Sequence, residues 1–223
     1  MLEINNLRKA YGERTVLDID SLKINKGETV VIVGPNGSGK STLLKILSGV
    51  ISQSEGSFSL NGELYYLPQQ SIPFRKSVRK NILFSSRDNA DKEQRCDKLL
   101  KELKLTHLAD KNAKGLSGGE CQRLALGRIL INKCDLLLLD EPSSAADIEG
   151  TEIIENAIKR YREETGCAIL MTTHSPNQAL NLADRIIMLR EGRIAEEGSP
   201  RELLTAPQTD WGRKFIGMWK IDL

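Results

Sequence analysis

Eight residues near the start of the chain, Gly34-Pro35-Asn36-Gly37-Ser38-Gly39-Lys40-Ser41, have the types and spacing to hold a polyphosphate. The glycines let backbone N–H groups wrap phosphate oxygens, Lys40 can reach the β and γ phosphates, and the Ser41 hydroxyl can ligate Mg²⁺. Two acids much later in the chain extend that chemistry. Asp140 ends the apolar run Leu136–Leu139 and can join the Mg²⁺ shell beside Ser41. Glu141 follows directly and can polarise an attacking water as a general base. Alone, the two acids read equally well as a solvated pair at a strand end; beside a full phosphate loop the functional reading prevails. His174 ends another apolar run, Ala-Ile-Leu-Met-Thr-Thr, where it can reach the γ-phosphate and the water. The second histidine, His107, reads as structural. One further turn stands out. Leu116-Ser117-Gly118-Gly119-Glu120 also opens a helix behind glycines, which makes an anion site. It carries no Lys-Ser and no metal ligand, and one nucleotide on one chain needs only one such site.

These residues must be positioned by regular elements. Glu28–Gly34, Asp135–Asp140 and Cys167–Thr173 are short apolar, β-branched or leucine-rich runs of the kind found in buried parallel strands. Helical spacing follows the first at Leu43, Leu44 and Leu47, with Gly49 as the stop. Ile153, Ile154, Ala157, Ile158 and Tyr161 share one face of a helix closed by Gly166. Ser175, Pro176 and Gln178 predict a helix start with a capping box. Residues 185–198 alternate around Arg-Glu-Gly and predict a hairpin, and residues up to about Asn25 predict antiparallel strands. Alternating strands and helices imply an α/β fold with a mostly parallel core sheet. Between Pro73 and Lys114 no buried strand interrupts an amphipathic helical pattern through Cys96, Leu99, Leu100 and Leu103. The expected organisation is therefore a single domain over 1–223, with core segments 1–70 and 134–223 and a helical insert over about 71–133.

Bulk properties narrow the function classes. The 223 residues carry a formal net charge of +2, with no basic tail, which argues against nucleic acid as the main partner. No apolar leader opens the sequence, so no signal peptide is expected. Apolar runs such as Leu136–Leu139 fall far short of the roughly 20 residues of a membrane span. The four cysteines, Cys96, Cys121, Cys134 and Cys167, form no Cys-x-x-Cys pair and read as buried or indifferent thiols in a reducing compartment.

Taken in order, these motifs resemble the nucleotide-binding subunits of ABC transporters over nearly the whole chain. The resemblance implies a P-loop ATPase of ABC type that binds ATP and Mg²⁺. It makes Gly34–Ser41 the Walker A loop, with Asn36, Gly37, Ser38, Gly39, Lys40, Ser41 and Thr42 around the phosphates. Tyr11 then stacks on adenine, with Val16 nearby. Leu136–Asp140 is the Walker B strand, Glu141 its catalytic acid and His174 the switch histidine. Gln69, directly after Pro68, matches the glutamine that touches metal and water; Gln70 is adjacent. Ser41, Gln69 and Asp140 form the implied metal set. Asp147 matches the residue that couples the two subunits of a dimer. The second glycine turn is the family signature: in a head-to-tail dimer Ser117, Gly118, Gly119 and Glu120 face the nucleotide held by the other copy, where a helix N-terminus favours the γ-phosphate charge.

The sequence departs from the pattern in places. Glu120 stands where Gln is commoner, Ala146 where Leu is usual, and the segment from Lys40 to Gln69 is short. Arg75, Lys76, Arg79, Lys80 and Arg87 lie in a stretch without acids. This is either a solvated basic face or the groove that receives a permease's cytoplasmic helix. The tail predicts a short helix with Trp211, Phe215 and Trp219 on one face. The resemblance implies a second copy or a homologous subunit, an integral-membrane permease and, for an importer, an extracytoplasmic solute-binding protein, at the cytoplasmic face of the cell membrane. The run from Thr172 to Pro200 resembles importers and the brief hairpin before Gln69 resembles exporters; import is preferred. The rivals are a soluble ABC ATPase acting on ribosomes or nucleic acid, and a module that binds ATP without hydrolysing it.

Overall fold

The computed structural model describes residues 1–88 and 90–218. Two sheets form the frame. The smaller is antiparallel, with β1 (Leu2–Tyr11) between β2 (Arg14–Ile24) and β4 (Glu55–Leu60). Leu2 pairs with both Ile24 and Leu60. Apolar residues on one face, Leu2, Ile4, Leu17 and Ile19 among them, are buried, as alternation requires when one face meets the core.

The larger sheet has six strands in the order β5 (Leu64–Leu67), β6 (Leu136–Asp140), β7 (Ala168–Thr172), β3 (Thr29–Val33), β8 (Arg185–Arg190), β9 (Arg193–Gly198). The first five run parallel and β9 returns antiparallel. Every residue of β3, β6 and β7 is buried, because both faces of the sheet are covered. Alternate side chains feed two cores: Val30 and Ile32 face α1 (Lys40–Leu47) and the antiparallel sheet, while Val31 and Val33 face the helices on the other side.

Between β5 and β6 the chain forms α2 (Val78–Ser85), α3 (Lys92–Glu102) and α4 (Gly118–Leu130), with two 3-10 turns. A Cβ at Gly127 would lie 2.8 Å from Leu103 Cδ1, so glycine there permits the close approach of α4 to its neighbours. Then come α5 (Ile148–Thr165), α6 (Pro176–Leu182), α7 (Pro200–Thr205) and α8 (Asp210–Gly217). Gly166 ends α5 at φ 66°. In α8, Trp211 and Phe215 stack with centroids 5.1 Å apart; Trp219 lies outside the described residues. The expected capping box at Ser175 forms by half. Ser175 Oγ accepts the Gln178 N–H at 3.3 Å, but the Gln178 amide turns to buried hydroxyls instead of the Ser175 backbone.

Candidate functional site

Parallel strands end on the same edge of a sheet, and open α/β sheets use that edge for ligands. Here β5 leads to Gln69, β6 ends on Asp140 and Glu141, β7 leads to His174, and β3 leads to Gly34. Four segments far apart in sequence are thereby delivered to one edge.

The phosphate loop is built for backbone contact. Gly34, Gly37 and Gly39 have φ of 153°, 78° and 104°, a region costly for a side chain. A Cβ on Gly39 would also stand 2.8 Å from the Val16 carbonyl. Gly39 caps α1 without any side-chain bond, which leaves the first N–H groups of that helix open. Lys40, 5% exposed, folds its ammonium back onto the carbonyls of Gly34 at 2.8 Å and Pro35 at 3.0 Å. Burial pushes the Lys40 pKa down, and Glu141 and Asp140 pull it partly back. The Ser38 hydroxyl is buried with no hydrogen-bond partner. Arg14, Val16, Asn36–Thr42, Gln69 and Glu141 line a cleft of about 360 Å³ over this loop. Tyr11 is 56% exposed, with the Lys9 ammonium 4.9 Å from its ring centroid, outside that lining.

The two acids have different surroundings. Asp140 is buried and fully engaged. Its Oδ1 accepts from Ser41 Oγ at 2.9 Å and from Thr172 Oγ1 at 2.8 Å, and its Oδ2 accepts from Tyr66 Oη at 3.4 Å. Burial and the Asp140 charge push the Tyr66 phenol above its usual range. Glu141 sits at φ 49°, a strained value for a non-glycine residue. Its carboxylate is held at both oxygens, by Gln69 Nε2 at 2.8 Å and by His174 Nε2 at 2.8 Å. Thus Gln69 and His174, 105 positions apart by their numbers, meet on one carboxylate.

The second glycine turn lies elsewhere. Ser117 caps α4 in a full capping box: Ser117 Oγ accepts the Glu120 N–H at 3.3 Å, and the Glu120 carboxylate accepts the Ser117 N–H at 2.7 Å. That bond holds the Glu120 carboxyl below its ordinary range. Gly118 and Gly119 pack on Ala145 and Ala146 and stand outside the lining of the phosphate-loop cleft. Asp147 caps α5, its Oδ1 accepting from Gly150 N at 2.7 Å.

Thr172 and Gln122, which no motif marks, and Gln178, expected only as a helix cap, tie these parts together. Thr172, fully buried, donates to Asp140 and accepts the Glu141 N–H at 3.1 Å, so one hydroxyl fixes both acids. Its signal was a hydroxyl inside an otherwise apolar strand, two residues before His174. Gln122, on the helix opened by the second turn, bonds Ser144 Oγ at 3.0 Å and Ala145 N at 2.9 Å. Gln178 accepts from Thr173 Oγ1 at 2.8 Å and donates to Ser143 Oγ at 2.9 Å. No local pattern marks Gln122, and the capping pattern at Gln178 gives no sign of its Ser143 partner, because these partners come from other elements.

Comparison with known proteins identifies the family and the fold. A family model described as "ABC transporter" matches residues 17–144. The spermidine/putrescine import ATP-binding protein PotA of Mannheimia succiniciproducens is 34% identical over 97% of this chain. The chain spans 62% of that protein's length. The tungstate uptake system ATP-binding protein TupC of Peptoclostridium acidaminophilum is 39% identical over 87% of this chain and 97% of its own length. Among solved structures, the dimeric post-hydrolysis state of the ATP-binding cassette MJ0796, bound to ADP and Pi, superposes with a TM-score of 0.80 at 30% identity. It covers 90% of this chain and 99% of that one. The ADP conformation of the cassette MJ1267 gives 0.81 at 26% identity, over 96% and 98%. With its motifs in order, its strand ends gathered on one edge and these relatives along nearly its full length, the chain belongs to the ABC transporter family and has that family's P-loop ATPase fold.

Proposed function

We propose that this chain is the ATP-binding and ATP-hydrolysing subunit of an ABC importer, working as a head-to-tail dimer beneath a separate membrane permease. The observation that carries the hydrolytic reading is the hold of Gln69 and His174 on Glu141, one residue from the Asp140–Ser41 pair. The groups fit Mg²⁺. Ser41 and Asp140 offer hard oxygen donors 2.9 Å apart, and Gln69 is bonded to Glu141, the next residue after Asp140. Bound there, Mg²⁺ would neutralise charge on the β and γ phosphates.

The chain's own groups do the rest. The open N–H groups of the phosphate loop and the Lys40 ammonium bind the phosphates, the ammonium exchanging loop carbonyls for phosphate oxygens. The orphan Ser38 hydroxyl supports the same cradle. Glu141 accepts a proton from the attacking water, and His174 and Gln69 aim it. Val16 and Tyr11 flank the base. Ser117, Gly118, Gly119 and Glu120 close over the partner's nucleotide, and Asp147 carries the state of one site to the other.

The permease would dock in an open groove of about 590 Å³ lined by Tyr65, Ile72, Arg87 and Arg128 among others. Its cations lie on aromatic rings: Arg128 is 4.2 Å from the Phe74 centroid and Arg87 5.1 Å from that of Tyr65. Ile72 and Phe84 are 86% and 67% exposed there or beside it. Of the basic stretch, Arg79 is taken by Asp97 at 2.6 Å. No helix among the described residues is long and apolar enough to cross a membrane, so placement at the cytoplasmic face comes through the permease. Import is favoured over the ribosomal or nucleic-acid reading because the relatives named above are import and uptake subunits. A solute-binding protein then completes the system.

The test is Glu141→Gln. Turnover of ATP is expected to fall by about 10²–10³-fold, with ATP-bound dimers accumulating on size exclusion. Parent-rate hydrolysis by that variant would sink the assignment of Glu141 as base.

A further inference from the structure

Two thiols that the nucleotide site does not use touch each other at the opposite end of the sheet. Cys134 precedes β6 and Cys167 precedes β7, and these strands are parallel neighbours paired at Leu136 and Ala168. Residues that enter adjacent parallel strands from the same end meet, and the two Sγ atoms lie 3.5 Å apart. Both cysteines are buried and free.

Tyr161 of α5 organises the pair. Its Oη accepts the Cys134 N–H at 3.1 Å, lies 3.3 Å from Cys134 Sγ and donates to the Asn132 carbonyl at 3.0 Å. The phenol has one proton and two takers, so a thiolate on Cys134 can claim it. The Cys167 thiol also lies 3.1 Å from the Ala168 carbonyl. The hydrogen bond between the thiols, with that of Tyr161, holds Cys134 below the usual thiol value, while the same bond and burial push Cys167 up. Tyr161 Oη touches Cys134 Sγ, so a thiolate there has a phenol beside it to stabilise it, and this contact assigns Cys134 as the nucleophile. A cleft lined by Leu130, Asn132, Lys133, Tyr161 and Thr165 opens beside the pair. Two residues of its wall bond the cysteine segments: Thr165 Oγ1 accepts the Cys167 N–H at 3.2 Å and Tyr161 Oη accepts the Cys134 N–H at 3.1 Å.

We propose that Cys134 and Cys167 form a redox-active dithiol, an oxidative modification site that hydrogen peroxide closes to a disulfide. The Cys134 thiolate attacks one peroxide oxygen. An S–O bond forms, the O–O bond breaks, and hydroxide leaves and is protonated to water. Cys167 then gives up its proton and attacks the sulfenic sulfur; the S–S bond forms, the S–O bond breaks, and a second water leaves. The two thiols lose two electrons and two protons, and the peroxide is reduced to two waters. The bond ties the segment after α4 to the segment after α5. This site stands on its own geometry and does not depend on the proposed ATPase activity.

The experiment treats the full chain with hydrogen peroxide, alkylates the remaining thiols after denaturation and maps the peptides by mass spectrometry. The expected result is the loss of two hydrogens, one cross-linked Cys134–Cys167 peptide reversed by dithiothreitol, and alkylation confined to Cys96 and Cys121. Thermal melts of the oxidised chain should shift up by about 5–10 °C. Cys134→Ser and Cys167→Ser should each abolish the cross-link. Four alkylated thiols after treatment, oxygen added at Cys121 with no cross-link, or the same loss of two hydrogens in Cys134→Ser would each overturn the proposal. The peptide map of the parent chain decides the question even where a serine variant fails to fold.

Discussion

The two glycine turns of this molecule open two helices in opposite ways. At α1 the cap is Gly39 in a left-handed conformation with no side-chain bond, so the first turn is left bare. At α4 the cap is Ser117, and the capping box with Glu120 satisfies two first-turn donors from within the chain. Only Gly118 and Gly119 keep unclaimed N–H groups there. The first turn is strained and packs closely on the Val16 carbonyl, and its ammonium leans on its own loop. The second is relaxed and capped, and packs on Ala145 and Ala146. A turn that holds a ligand of its own chain can be left incomplete, since the ligand completes it. On the proposed reading the second turn serves another copy, and it must be stable while it waits.

The contrast can be broken by placing a methyl group at each turn. Gly39→Ala forces a side chain into φ 104° and against the Val16 carbonyl. It should cost about 2 kcal/mol of stability and shift the melting midpoint down by about 5 °C, and titration with a fluorescent ATP analogue should show binding lost. Gly119→Ala meets only ordinary contacts at 3.4 and 3.5 Å on a helical backbone. Its melting curve and its ATP affinity as a monomer should match the parent, while turnover falls by about 100-fold because the partner's phosphate site is blocked. If Gly119→Ala loses ATP binding as Gly39→Ala does, the division of labour between the turns is wrong.

Smaller effects sharpen the same comparison. Thr172→Val removes the hydroxyl that bonds Asp140 and Glu141 and should lower kcat by about 10-fold with little change in KM for ATP. Thr172→Ser should restore it, and equal defects in both variants would reduce Thr172 to a packing role. At the relaxed turn the expected change is mild and depends on pH. Folding lowers the Glu120 pKa below its ordinary 4.5 through the Ser117 N–H. The stabilisation is therefore whole above that value and drains away as pH falls through the lowered one. Glu120→Gln keeps a capping partner, so its melting midpoint should fall less than the parent's between pH 5 and acid; parallel acid profiles for the two would show the box contributes no pH dependence.

Much of this was legible beforehand. The buried runs at Thr29–Val33, Leu136–Asp140 and Ala168–Thr172 are strands, and the phosphate loop sits between a strand and a helix, because burial on both faces and glycine conformations leave local marks. At Ser117–Glu120 the sequence was read as an anion site, and the structure adds a full capping box there. The Gln178 side chain went elsewhere because buried hydroxyls on Thr173 and Ser143 outbid a local cap.

By itself the sequence determined the elements, the phosphate chemistry and the order of motifs that places the chain among ABC transporters. All of these rest on contacts between residues close in the chain or on spacing within one element. Tertiary structure alone decided which distant groups share an atom: Gln69 and His174 on Glu141, Thr172 across Asp140 and Glu141, Gln122 against Ala145, and Cys134 against Cys167. Those meetings follow from strand order and register in the parallel sheet, and a thiol at 134 carries no local sign that its neighbour across the sheet is a thiol at 167.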